Sequence, residues 1–279
     1  MSPRRGAGGR FITDEATKRV RHDIFGTASA ESAWLAGLIA ADGNISPDLK
    51  RVGLAQSGTR GRLLIEEARR ITAHTGTVSA TQPAKGNVSY GITIGSTKMI
   101  EDLRDKYGIT PRKTLTYKWP PCDPSLVSPF LRGYVDGDGC VGIYPTPQGN
   151  PMLHLSFVGT PSFIQGAMAA IPAHGRCRVI TRCKSLQEAR YHGRHAWAAA
   201  TWLYADTGLI RSAKQQAFAH YQQLLRTDPP KWHTWAIERQ RILTLMKAGK
   251  TPVQIAAETG LPVSRIYNLG WQTRKAAAE

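Results

Sequence analysis

The sequence is short of acid. Its 279 residues hold 20 Asp and Glu against 37 Lys and Arg, a formal charge of +17, and its pI is near 10.1. Such an imbalance favours a polyanionic partner, because each neutralised phosphate releases counterions. Nucleic acid is therefore expected as partner, ahead of an acidic membrane surface.

Long apolar runs are also missing. None approaches the ~20 residues of a membrane span, so no membrane role is expected. Residues 1–10 carry arginine and glycine without an apolar stretch, unlike a secretory signal. Asp14 and Glu15 come early for a transit peptide. The expected location is the cytoplasm, with association to a nucleoid, and an organelle stays open. Cysteine is scarce, and Cys122, Cys140, Cys177 and Cys183 contain no CxxC pair. The spacing of Cys177 and Cys183 suits zinc poorly, so all four read as reduced thiols of an intracellular protein. A hydrophobic share of 41% suffices for a core, and the length suits about two domains.

Two stretches organise what is there: Trp34-Leu-Ala-Gly-Leu-Ile-Ala-Ala-Asp-Gly43 and Leu131-Arg-Gly-Tyr-Val-Asp-Gly-Asp-Gly139. Each is apolar, carries small residues four apart and ends in Asp-Gly. Asp42 and Asp138 lie 96 positions apart, roughly the length of a small domain. One unit used twice is the simplest reading.

The flanking patterns agree. A helix is expected from Thr27 to Asp42, capped by Ser29 or Ser32, with Gly43 as its C′ stop. A strand at Val52–Gln56, a helix from Arg62 to Thr75 stopped by Gly76, and strands at Thr77–Thr81 and Val88–Ile94 follow. Thr97 then caps a helix from Lys98 to Tyr107. After a proline-rich connector at 114–127, Ser128 caps a helix from Pro129 to Asp138. The order repeats with strands at Val141–Tyr144 and Met152–Gly159, a helix at Ser162–Ile171, strands at Arg176–Cys183 and Leu186–His192, and a helix at His195–Tyr204. A further helix covers Ala213–Leu225. Residues 231–279 differ in kind. Helices at Trp235–Ala248, from Pro252 to Thr259 and from Pro262 to Thr273 would share a core of Ile242, Leu245, Ile255, Ala256, Val263 and Ile266. That is a helix-turn-helix pattern, with Ser264, Arg265, Asn268 and Gln272 on its recognition helix.

The small residues Gly37 and Ala41, and Gly133 and Gly137, occupy one face of each motif helix. Pairing the faces brings Asp42 and Asp138 together. Adjacent carboxylates repel unless a cation neutralises them, and each also sits at the negative end of a helix dipole. A hard divalent ion held there over a scissile phosphate is a phosphodiesterase arrangement.

These motifs resemble those of the LAGLIDADG homing endonucleases of the single-chain, two-repeat type. The likeness runs over about residues 24–226 and includes Gly108-Ile-Thr-Pro-Arg-Lys113 and Trp202-Leu-Tyr-Ala-Asp206. It implies two pseudo-symmetric αββαββα repeats forming a DNA-binding saddle, an α+β fold to which the helical pattern of residues 231–279 adds a small all-α helix-turn-helix domain. The expected division is a basic arm at 1–23, repeats at 24–120 and 121–228, and the helical domain at 231–279. The resemblance further implies a monomer that binds double-stranded DNA and makes Mg²⁺-dependent double-strand breaks, with short 3′ overhangs, in a long asymmetric site. Mn²⁺ is the expected substitute metal. Asp42 and Asp138, with the carbonyls of Ala41 and Gly137, become the metal ligands. Lys98 and Arg194 become the basic groups near the metal. Arg194 would stabilise charge without acting as a base, since arginine keeps its proton. Gln56 and Ser156 are candidates for positioning water.

Ala40 stands where the motif has its first aspartate, whereas Asp136 keeps it. Strand alternation offers Arg51, Gln56, Lys85 and Ser89 to DNA from one half. The other half offers His154, Ser156, Arg176, Arg178, Arg182, Lys184 and Arg190. No intein splice residues flank the domain, so a free-standing or intron-encoded enzyme is expected. A DNA-binding regulator without cleavage and an RNA-splicing maturase are the competing readings.

Overall fold

The computed structural model describes residues 20–172, 177–206, 208–227 and 231–276. They fall into two compact units, one ending at Ala219 and one beginning at His220.

The larger unit reads αββαββα twice. The first pass is α1 (Ala30–Asp42), β1 (Gly43–Ile45), β2 (Arg51–Ser57), α2 (Gly58–Ile71), β3 (Ser79–Thr81), β4 (Ser89–Gly95) and α3 (Thr97–Tyr107). The second is α4 (Val127–Asp138), β5 (Cys140–Pro145), β6 (Pro151–Gly159), α5 (Pro161–Ala170), β7 (Arg178–Cys183), β8 (Leu186–His192) and α6 (Gly193–Leu203). α7 (Ala213–Thr227) follows. Each repeat builds one antiparallel four-stranded sheet, ordered β1-β2-β4-β3 and β5-β6-β8-β7. The matching order makes this an α+β fold of two equivalent halves.

α1 and α4 are buried almost all round, from Ser32 to Ala40 and from Pro129 to Asp136; α1 is apolar on nearly every side, whereas α4 buries Arg132 and Asp136 with its apolar residues. Their small residues let the backbones touch. A methyl group on Gly37 would overlap the carbonyl oxygen of Phe130, and one on Gly133 would overlap that of Trp34. Around this seam Phe130 stacks on Tyr107 at 5.7 Å and Tyr134 packs on Phe163 at 4.2 Å.

Several element ends differ from those expected of the sequence. Gly43 ends α1 in an extended conformation (φ −79°, ψ 159°), not as a left-handed cap. It is required because a side chain there would strike the Ile39 backbone, and it opens β1, a strand too short for alternation to reveal. Ser29 caps α1 and Ser32 completes its capping box. α2 starts at Gly58 and ends at Thr72 and Ala73, so Gly76 is not its stop. Ser96, not Thr97, caps α3. Ser128 caps nothing; α4 grows out of a 3-10 turn at Pro124–Leu126, and the Ser128 hydroxyl donates to the Trp202 carbonyl. Residues 1–19 of the expected arm lie outside the described residues. Residues 21–25 are anchored: the Arg21 amide donates to Thr72 O, and Ile24 and Phe25 are buried.

The smaller unit contains α8 (Lys231–Lys247), α9 (Pro252–Thr259) and α10 (Val263–Ala276). Ile242, Ile255, Ile266 and Leu269 form its core, with Leu245 and Ala256 partly buried against it. Leu269 takes the core place expected for Val263, which is half-buried. Thr251 and Gln254 form a capping box ahead of α9, and Gly260 ends it at φ 71°. The turn to α10 is therefore short and tight.

Candidate active site

The seam delivers the two motif acids to one place. Asp42 and Asp138 close α1 and α4, near enough for each carboxyl to act on the other. A side chain on Gly137 would lie 2.6 Å from the Asp42 carboxylate, so that glycine makes room for the opposite acid. Asp42 is half-buried and Asp138 is exposed. Burial, then the charge of Asp138, pushes the Asp42 carboxyl up to about 6, against the pull of the Gln56 amide. Gln56 Nε2 donates to Asp42 Oδ2 at 2.5 Å.

The compensating cations are lysines that the sequence reading passed over. Lys113, on a 3-10 turn at Lys113–Leu115, donates to the Gly43 carbonyl at 2.6 Å. Lys214, near the start of α7, donates to the carbonyls of Val135, Asp136 and Gly137 at 2.7, 2.8 and 2.7 Å. Each thus caps the C-terminal end of one motif helix, where the dipole is negative. Burial pushes both ammonium groups down, and the nearby acids oppose it. Of the two motif acids, Lys113 feels Asp138 before Asp42, while Lys214 feels Asp42 before Asp138. The lysines lie in separate cavities. Ala40, Ala41, Asp138 and Gly159 line the one with Lys113, and Gln56, Gly137 and Cys140 line the one with Lys214.

Lys98 and Arg194 do not hold these positions. Lys98 opens α3 and pairs with Asp102 at 2.5 Å; Asp102, Glu101 and Asp105 are the acids acting on it. Arg194 is exposed at the start of α6, where its Nε donates to His195 Nε2 at 3.2 Å. The Gly137 carbonyl, expected on a metal, accepts from Lys214. Ala41 lines the Lys113 cavity.

Register exposes a difference between the halves. Asn44 pairs with Gly53, and Cys140, its counterpart after the motif, pairs with Ser156. Gly53 therefore matches Ser156, and three residues further on Gln56 matches Gly159. The first acid has an amide partner from its sheet, and glycine stands at the corresponding place beside the second. Ser156 does not replace it: its hydroxyl lies 3.1 Å from His154 Nε2 and serves Glu188.

The sheets also differ on their outer faces. Arg51 and Gln56 fall on opposite sides of β2 because they are five apart, so only Arg51 is outward. Around it the first sheet presents small residues such as Gly53, Ala55 and Thr93. Ser89 is half-buried and Lys85 lies exposed in the β3–β4 loop. The second sheet is charged. Arg190 Nε and Nη2 donate to Glu188 at 2.8 and 3.0 Å, and Arg182 pairs with the same carboxylate. His154 lies 3.4 Å from His192, nitrogen to nitrogen. Arg178 and Lys184 are exposed, and Arg176 lies outside the described residues. In the smaller unit Ser264, Arg265 and Asn268 share the exposed surface of α10 with Tyr267, an aromatic the sequence reading left out. Arg265 reaches Glu238 at 3.4 Å. The side chain of Gln272 lies outside the described residues.

The fold and site together define a two-repeat α+β protein with an acid pair at the joint. Residues 29–108 match the family model of the LAGLIDADG-like domain. Among solved structures the chain is similar to the meganuclease I-SmaMI bound to uncleaveable DNA with a TTCT central four, at 13% identity, covering 74% of this chain and 94% of that one with a TM-score of 0.47. It is also similar to the I-LtrWI LAGLIDADG homing endonuclease bound to target DNA, at 10% identity, 75% and 95% coverage and a TM-score of 0.49. A third is the LAGLIDADG meganuclease I-AabMI bound to uncleaved DNA, at 13% identity, 72% and 92% coverage and a TM-score of 0.45. No curated protein matches the chain in sequence.

Proposed function

We propose that the larger unit is a metal-dependent endonuclease that cuts both strands of a long, asymmetric double-stranded DNA site, acting as a monomer. The observation that carries this reading is the meeting of Asp42 and Asp138, each ending a motif helix, with one lysine-lined cavity on either side. A pair of carboxylates so placed that one is forced toward its protonated form suits a divalent cation. The all-oxygen donor set fits Mg²⁺, with Mn²⁺ as substitute. Asp42 and Asp138 would hold the ion. Held by those two carboxylates, such an ion would supply charge neutralisation of the phosphate and activation of water.

The chain's own groups do the rest. Gln56 holds the Asp42 carboxylate in place through its amide. Lys113 and Lys214 keep positive charge beside the acids in both cavities, where a scissile phosphate gathers negative charge. One cavity then serves each strand. The inequality of Gln56 and Gly159, and of the two outer sheet faces, suits a non-palindromic site. The charge of +17 supplies sequence-independent attraction to the duplex. The exposed Ser264, Arg265, Tyr267 and Asn268 of α10 make the smaller unit a helix-turn-helix contact to the same DNA. The protein works wherever that DNA is held, in a cytoplasmic nucleoid on the simplest view.

The test is cleavage of a randomised plasmid library by purified protein with Mg²⁺ or Mn²⁺. Double-strand cuts at a recurrent site, lost in Asp42→Asn and Asp138→Asn, are expected. Sequence-specific binding with no cut under either metal would make the protein a regulator. Activity on a structured intron RNA alone would make it a maturase.

A further inference from the structure

The second motif carries an acid that the proposed chemistry does not use. Asp136 lies two residues before Asp138, and its side chain is wholly buried. Both oxygens are occupied. Oδ2 accepts from Trp34 Nε1 at 2.9 Å, across the seam from α1. Oδ1 accepts from the Ser212 hydroxyl at 2.6 Å, with Tyr204 OH at 3.5 Å. Arg132, one helical turn earlier and equally buried, stands 3.9 Å away.

These partners converge on the start of α7. The Ser212 oxygen accepts from the Gln215 amide at 3.2 Å, and the Ser212 carbonyl accepts from the Gln216 amide at 3.0 Å, so Ser212 caps the helix. Arg132 donates to the carbonyls of Asp206 and Ile210 at 2.6 and 2.5 Å and to Gln215 Oε1 at 3.1 Å. Lys214 lies between Ser212 and Gln215. Its three donors rest on the carbonyls of Val135, Asp136 and Gly137.

We propose that Asp136 is a positioning residue that, through Ser212 and Arg132, holds the first turn of α7 so that Lys214 stays beside the motif acids. A long flexible ammonium side chain is only as well placed as its Cα, and buried, fully partnered networks place a backbone best. Among the described residues no such buried acid serves Lys113. The counterpart of Asp136 is Ala40, and Lys113 is placed by the local backbone, where Arg112 takes a left-handed conformation at φ 56° ahead of the 3-10 turn. The difference between Ala40 and Asp136 is thereby explained: only the half whose lysine arrives on a separate helix needs the extra acid.

The inference rests on the endonuclease reading for its catalytic consequence and not for its structural one, so two readouts separate them. The first is hydrogen exchange of the full chain without metal. Ser212→Ala and Asp136→Asn should speed exchange at residues 213–219 at least tenfold, with α3 unchanged, and Ser212→Thr should restore protection. The second is cleavage of the site recovered from the plasmid library, each strand end-labelled. Ser212→Ala should slow the strand that Lys214→Met slows, by about tenfold, while the other strand is cut at the wild-type rate. Unchanged exchange at 213–219 in Ser212→Ala overturns the proposal, as does equal slowing of both strands. If the wild-type protein cuts neither strand, the endonuclease reading fails, and the exchange readout still decides whether Asp136 and Ser212 hold the first turn of α7. Ser212→Ala carries the test should Asp136→Asn not fold.

Discussion

Gly37 and Gly133 are the points at which each motif helix rests on the backbone of the other. The overlaps that a methyl group would make are with the carbonyl oxygens of Phe130 and Trp34, and neither is the end of a flexible side chain. Gly133→Ala is therefore expected to lose about 3 kcal/mol or more of stability, the upper range for overpacking. Gly108→Ala serves as contrast. It has nothing within 4 Å but holds φ 64°, so its cost is conformational and about 1 kcal/mol. Urea denaturation of both variants measures the difference, and equal losses would contradict the close-contact account.

Asp42 makes stability depend on pH. Its carboxyl titrates at about 6 in the folded chain and near 4 when unfolded. Between those values the folded state holds more protons, so this group's contribution to stability falls as pH rises through the window. In metal-free buffer Asp42→Asn should gain on the wild type from about pH 4 to pH 6 and hold a constant advantage above it. Denaturation midpoints across that range test the expectation. A difference that does not change with pH would mean Asp42 is not raised.

Lys113→Met and Lys214→Met should each slow cleavage by about 100-fold, the usual loss when one preorganised charge is removed. Because the lysines occupy separate cavities, the losses should fall on opposite strands and leave nicked intermediates. DNA affinity should stay within a few-fold. Lys98→Met and Arg194→Met should leave both rates nearly unchanged. Strand-resolved gels on the selected site would show it, and an inactive Lys98→Met would restore the sequence-based assignment.

Glu188 restrains two arginines on the outer face of the second sheet. Glu188→Gln should tighten binding to a random-sequence duplex and steepen the salt dependence, since Arg182 and Arg190 lose their shared counter-ion. Arg190→Ala should reduce the slope of log K against log salt by about 0.9. Fluorescence anisotropy at several salt concentrations measures both. An unchanged slope in Arg190→Ala would take that residue off the DNA surface.

Much of the fold is legible in the chain because the signals are local or repeated. Small residues four apart in two places announce a helix pair. Alternation finds β2, β4, β6 and β8, and Gly108 and Gly260 stop their helices in the left-handed conformation expected of such glycines. β1 escapes because its three residues are too few for a period. Gly43 misleads because a glycine needed for close approach looks, in sequence, like one needed for positive φ.

The site divides along the same line. The repeat, the excess of positive charge and the acid at the end of each motif helix are legible in the residues alone, since periodicity and composition are properties of the unfolded chain as well. Only the tertiary structure decided which bases stand beside those acids. Lys113 and Lys214 lie 71 and 76 positions beyond Asp42 and Asp138, one on a 3-10 turn and one in the first turn of α7, neither marked by a pattern of its own, and helix dipoles and burial at the seam give them their place. It also decided that Gln56 faces an acid while Gly159 stands opposite, a consequence of strand register that no single stretch of residues records.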